Sequence, residues 1–450
     1  MNDHLQTRRL FLARGMTLLA AAPTIPTFLD STVLAMADPA DAPLTQQDSG
    51  KDGKILVVVQ LSGGNDGLST VIPHGDDAYQ NARRSLAFAS NDVLKIDNYI
   101  GLNPALTGMK DLFDDGRMSI IQGVGYPNPN RSHFRAMDIW HSAEPTKEVV
   151  TTGWLGRFFD NTCTGEDPHS GVSISDQLPL SMKGEKIMPL SFERADSYRY
   201  RGPDAARYQQ LNAGPNGTAS AAASEAAPST QPSAKAPAKP VRPGQKPTIE
   251  AYTPDQQTDF LRRTAMDAQV SSDRILKVTG NFQPAGEYPN GEFGQGLRTI
   301  AAMIGGGMPT RVYYVSLGGF DTHANQRGRH DQLMTQLSNG IAAFWKDMEA
   351  QGNKDRVLMM SFSEFGRRVN TNASNGTDHG AAAPVFLMGP KLKPGVVNKH
   401  PSLTDLDAGD LKHSTDFRSI YATVLQDWMG VPSRPILGSQ FQTMKLIQKA

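Results

Sequence analysis

The chain has 450 residues, 45 Lys and Arg balanced by 45 Asp and Glu, and a single cysteine, Cys163. Zero net charge excludes broad electrostatic attraction to nucleic acid or an anionic membrane. One cysteine excludes an intramolecular disulfide, and the lack of cysteine clusters excludes an iron–sulfur or structural zinc centre.

At the N-terminus, Thr7-Arg8-Arg9-Leu10-Phe11-Leu12 precedes a modestly apolar segment from Met16 to Leu29, and Ala35-Met36-Ala37 follows. This pattern predicts a twin-arginine export signal over 1–37, cut after Ala37. Its apolar segment holds Pro23 and Pro26 and is too short to make a stable transmembrane anchor. The expected partner is therefore the twin-arginine translocase, and the expected destination is periplasmic or extracellular, reached already folded. Residues 38–52 are small and polar and read as a flexible lead-in.

Lys54 to Leu61 is a β-branched run, the mark of a strand buried on both faces, and it runs into Ser62-Gly63-Gly64-Asn65-Asp66-Gly67. A helix is predicted over Asn103–Gly116 and a strand over Met118–Val124. The segment Gly125 to Phe134 leads to a helix over Arg135–Ser142, then a helix near Trp154–Asn161 and a short strand near Gly171–Ser175. From about 213 to 247 the composition turns to Ala, Pro, Ser, Gln and Lys, which cannot bury a core and predicts a disordered surface insertion. Helical patterns return over Pro254–Thr279 and Phe293–Met303, with Gly305-Gly306-Gly307 ending the second. A strand over Thr310–Leu317 leads into Gly318-Gly319-Phe320-Asp321-Thr322-His323. A helix over Arg329–Glu349, a strand over Arg356–Phe362 with the turn Ser363 to Arg368, an apolar strand-like run after Asp378-His379-Gly380, and a helix over Phe417–Met429 complete the pattern. The alternation predicts an α/β fold: a mostly parallel central sheet with helices on both faces. Candidate residues on both sides of the insertion argue for one domain over 53–450.

The strand-flanking positions carry the chemistry. Asn65 and Asp66, Asp321 and His323, Glu364, and Asp378 and His379 are carboxylates, imidazoles and an amide of the kinds that suit a divalent metal such as zinc, manganese or calcium. In open α/β sheets such strand ends are where ligands bind. The bland alternative for each is a turn cap or an exposed loop side chain. Ser132, near a helix N-terminus, is either a nucleophile facing amide donors or a helix cap. His133, its neighbour, is expected to point elsewhere. Arg131 and Arg135 suit anionic oxygens through forked hydrogen bonds, and Arg367, following Glu364, allows substrate contact. No G-x-G-x-x-G or Walker-type phosphate loop occurs.

Together LSGGNDGL (61–68), NRSHF with DIW (130–140), GWLGR (153–157), GGFDTH (318–323), SEFGR (363–367), TDHG (377–380) and DFRSIYATVLQDWMG resemble the exported bacterial family known as domain of unknown function fifteen-oh-one. That family is similar to the alkaline phosphatase and sulfatase superfamily. The resemblance implies an alkaline phosphatase-like fold, with Asp66 as a first metal ligand, Ser132 as nucleophile, Asp321 with His323 as later ligands, and Asp378-His379 as the last ligand turn. At Ser363-Glu364-Phe365-Gly366 the chain departs from the pattern, with Phe365 where a histidine is implied. Two functions follow as expectations: a metal-dependent hydrolase of small anionic phosphate or sulfate esters, or a catalytically degenerate relative binding a partner or envelope polymer.

Overall fold

The run after Lys54 folds as predicted, into β1 (Ile55–Ser62), an inner strand of a nine-stranded sheet. The computed structural model describes residues 53–162, 168–195 and 272–448. The predicted export signal and lead-in, Cys163, the predicted 213–247 insertion and the first part of the helix predicted over 254–279 lie outside these; residues 272–280 are helical.

After β1, a one-turn helix α1 (Gly67–Thr70) leads to a small side sheet, β2 (Val71–Ile72), β3 (Leu94–Lys95) and β4 (Gly101–Leu102), with α2 (Asp77–Arg83) inserted. Then come α3 (Thr107–Asp114), β5 (Met118–Gly125), α4 (His133–Ser142), α5 (Trp154–Thr162), β6 (Gly171–Ile174) and β7 (Leu190–Ser191). The second half holds α6 (Glu292–Gly305), β8 (Val312–Gly318), α7 (Gln326–Ala350), β9 (Val357–Phe362) and β10 (Ala383–Met388). Short strands β11 (Gly395–Val397), β12 (Leu406–Asp407), β13 (Asp410–Leu411) and β14 (Thr415–Asp416) precede α8 (Phe417–Thr423). The final helix is shorter than predicted, because the chain widens into a π turn over Val424–Trp428 before α9 (Arg434–Leu437).

The strand order is β11-β5-β10-β9-β1-β8-β6-β7, with β14 also on β5. Strands from both sides of the 213–247 segment thus share one sheet, since β8 pairs with both β1 and β6. Alternation along β1 sends Ile55, Val57, Val59 and Leu61 into a core shared with α3, α6 and α7. Leu56 and Val58 face the opposite core, with Trp140 of α4, Phe158 of α5 and Tyr421 of α8. Near-continuous apolar strands covered on both faces explain each other: neither face has water to meet.

One strand breaks the parallel rule. β10 runs antiparallel to both β9 and β5, while β1, β8, β9, β6 and β7 run together. Asp378 and His379 are therefore not at a strand exit but just ahead of a strand start. The reversal brings that start to the same sheet edge as the exits of β1, β8 and β9. Hydrophobic run length predicts the strand; nothing in it specifies direction.

Candidate metal centre

At this edge the exits of β1 and β8 come so close that a side chain on Gly63, at φ +116°, would lie 2.5 Å from the Asp321 amide. A left-handed glycine with no Cβ is what lets the two backbones meet. Gly64, at φ +79°, likewise leaves space for the Phe365 ring. Three histidines and one carboxylate then converge.

The Nδ1 atom of His133, first residue of α4, lies 2.9 Å from Glu364 Oε1. His379 Nδ1 lies 2.8 Å from the Arg131 carbonyl, and His323 Nδ1 lies 3.3 Å from Asp378 Oδ1. Carbonyl and carboxylate oxygens only accept, so each Nδ1 is placed to donate, and in the tautomer with its proton there the ring presents a bare Nε2. All three Nε2 atoms point at Asp321 Oδ1, at 3.5 Å from His133, 3.0 Å from His323 and 3.1 Å from His379. His323 and His379 bring their Nε2 atoms within 2.9 Å of each other. The Nε2 of His133 is buried without a hydrogen-bond partner. One carboxylate and three imidazole lone pairs facing one another are what a divalent cation satisfies. Among the described residues, His133, Asp321 and His379 offer ligand atoms all within 4.8 Å of one another, and His323 joins them through its contacts with Asp321 and His379.

The surroundings hold this set in place. Arg367 is buried, donates to the carbonyls of Gly64, Thr377, Gly63 and Phe320, and reaches Asp321 Oδ1 at 2.8 Å. Burial works to raise the Asp321 carboxyl, but the hydrogen bond and charge of Arg367, with His379 and His323 beside it, overcome this and bring it down to about 2. Burial pushes the His379 imidazole below its ordinary value, which favours the neutral form that binds metal. Phe365 supplies no donor, but its ring packs 4.9 Å from His133 and 4.7 Å from His379, centroid to centroid.

Several roles expected from the sequence change. Asp66 does not join the cluster. It is buried, caps α1 through Leu68 N, accepts from Ser69 Oγ at 2.7 Å, and pairs with both terminal nitrogens of the buried Arg83. Here burial raises the carboxyl and the Arg83 charge and hydrogen bonds lower it, to about 2 overall. Glu364 and Asp378 stand behind His133 and His323 rather than among the converging atoms. Carboxylates so placed fix a histidine's tautomer and raise its basicity. Asn65 is buried, its Oδ1 taken by Thr70 and His330. Arg367 is the buried clamp just described, without solvent access for substrate. Arg135 donates to the Pro145 carbonyl, and Arg131 forks onto Asp410 Oδ2. Ser132 occupies the N-cap position of α4 without a capping bond from its hydroxyl, and is exposed.

The residue missed by sequence reasoning is His133. The helix predicted from Arg135 starts at His133 instead, so its ring leaves the first turn towards β9. The available signal was a histidine beside Ser132 in a loop that follows a strand of the same sheet.

Residues 120–446 match the family model described as Protein of unknown function (DUF1501). Solved structures similar to the chain include a protein in the alkaline phosphatase superfamily from Vibrio parahaemolyticus, at 8% identity and TM-score 0.36 over 92% of this chain and 78% of that one. Others are the C-terminal periplasmic domain of EcEptC from Escherichia coli in complex with Zn, at 10% identity and TM-score 0.32 over 78% of each chain, and the lipoteichoic acid synthase LtaP from Listeria monocytogenes, at 8% identity and TM-score 0.32 over 91% and 81%. At such identities and scores these likenesses bear on neither chemistry nor substrate. No curated protein matches the chain. No helix among the described residues is long and apolar enough to cross a membrane.

Proposed function

The chain belongs to the DUF1501 family, and from that premise we propose that it is an exported, metal-dependent hydrolase of phosphate or sulfate esters. The observation that carries this reading is the convergence of three Nε2 atoms on one carboxylate oxygen, each ring held from behind through Nδ1. His133, His323, His379 and Asp321 would hold the metal. Three imidazoles with one carboxylate suit zinc and disfavour calcium, which takes oxygen ligands. A divalent metal there supplies Lewis-acid polarisation of an ester oxygen.

The chain's own residues would do the rest. Ser132 lies between Arg131, whose carbonyl orients His379, and His133. Its exposed hydroxyl, not consumed by capping, is the nucleophile of this reading. Arg131 and Arg368 flank Asp410 with side chains 40% exposed, leaving guanidinium surface beside the site for an anionic substrate. The twin-arginine signal implies the translocase as partner, and a periplasmic or extracellular location.

A second reading, a relative that keeps the metal but has lost turnover, draws on a specific observation: Arg131, Arg135 and Arg367 are all engaged within the protein. One experiment separates the two. The full chain is exported from a bacterial host, its metal content measured, and wild type, Ser132→Ala and His133→Ala assayed on phosphate and sulfate mono- and diesters. The first reading expects bound zinc, hydrolysis of at least one ester class, and loss of turnover in both variants. Bound metal with no hydrolysis favours the second, and wild type without metal sinks both.

A further inference from the structure

We infer that Gln326 is a positioning residue for the metal centre, latching its two histidine-bearing loops to the buried Asp66–Arg83 pair; this rests on the metal-site reading above. Gln326 is the first residue of α7 and is buried. Its Oε1 accepts from Thr377 Oγ1 at 2.6 Å and from Thr322 Oγ1 at 3.1 Å. Thr322 immediately precedes His323, and Thr377 immediately precedes Asp378-His379. A single amide oxygen therefore ties together the roots of both loops, which also share a backbone bond from Thr377 N to the Thr322 carbonyl.

The other end of the amide explains why the residue is glutamine. Nε2 donates to Asp66 Oδ2 at 2.5 Å and faces Ser69 Oγ at 3.4 Å. An ionised carboxylate only accepts, so Asp66 fixes the amide with its NH2 inward and its oxygen towards the threonines. The charge pair with Arg83 keeps Asp66 ionised and still. Asn375 and Ser374 carbonyls accept from the Gln326 and Asn325 amides, so the start of α7 holds the segment leading to Thr377 by main chain as well. The two imidazoles, with Nε2 atoms 2.9 Å apart, need their loops fixed relative to each other; groups bonded directly to a ligand are worth roughly 10–100-fold in metal affinity, and Gln326 acts one step further out, at the low end of that range.

The test uses the full chain with zinc affinity from chelator competition and the visible spectrum of the cobalt-substituted protein. Thr377→Val deletes one hydroxyl, Thr377→Ser restores it, and Gln326→Leu removes the latch. Ser338→Ala is the control for stability alone, since Ser338 Oγ, in the middle of α7, accepts from the Gly108 and Met109 amides of α3. The expected result is zinc affinity weakened about tenfold or more in Thr377→Val and Gln326→Leu, an altered cobalt spectrum, recovery in Thr377→Ser, and no change in Ser338→Ala. If Gln326→Leu does not fold, Thr377→Val and its serine partner still decide. Wild type that binds zinc while Thr377→Val matches it in affinity and spectrum overturns the latch alone. Wild type that takes up no zinc overturns the metal reading beneath it.

Discussion

Two acidic clusters lie at the same sheet edge. One gathers around Asp321 at the exit of β8, the other around Asp66 at the exit of β1. Both aspartates follow a glycine turn, both are held near pKa 2, and both are touched by an arginine. Yet Asp321 has a half-exposed side chain facing three imidazole lone pairs, whereas Asp66 is sealed, with Arg83 and Gln326 occupying its oxygens. The difference shows that a carboxylate at a strand exit becomes a candidate ligand only if its neighbours leave lone pairs unanswered. Where a buried guanidinium answers them, the same residue type becomes a structural anchor.

The sharpest way to break this contrast is Arg83→Met. It strands the Asp66 charge in the core, and a loss of about 3–5 kcal/mol is expected in urea unfolding. If the melt is unchanged, Asp66 is not the anchor described. Next in size is Glu364→Gln, aimed at the other cluster. The neutral amide no longer fixes the His133 tautomer by charge, and zinc affinity is expected to fall about tenfold or more while the urea midpoint stays near that of wild type. Equal zinc affinity would return Glu364 to a purely structural role.

The smallest effect concerns acid. The Asp66 carboxyl falls from 3.8 to about 2 on folding, so the unfolded chain binds its proton first as pH drops. The stabilisation is complete above 3.8 and is lost as pH falls towards 2. At about pH 3 roughly 1 kcal/mol of it has gone. Wild type should therefore lose this much more between neutral pH and about pH 3 than the double variant Asp66→Asn with Arg83→Met. An equal loss in both would mean that the pair carries no acid sensitivity.

The sheet was largely legible because its longer strands are mainly apolar runs, rich in Val, Ile, Leu, Met, Tyr and Phe, a pattern that survives without any knowledge of partners. The direction of β10 was not, since burial has no sense along the chain. In the site, Asp321, His323 and His379 were readable as ligand types beside glycine turns. His133 was not, because it depends on α4 beginning two residues earlier than its apolar periodicity suggests, and a helix boundary is the least certain part of any such pattern. Arg83 was equally hidden. It lies seventeen residues from Asp66 in a separate helix, and no spacing rule connects the two.

The reversal of β10 has a consequence for how the protein can vary. In a parallel sheet, the segment joining two strands must travel the length of a layer and back. Residues 363–382, joining β9 to β10, make no such journey: they leave and rejoin the sheet at one edge. Within it, Thr371, Ser374 and Asn375 bond to Ala82, Arg83, Ser85 and the start of α7, while Glu364, Arg367 and His379 reach the candidate site. One connection thus joins the candidate ligands to the helix that carries Arg83, and a change in its length would be felt at both.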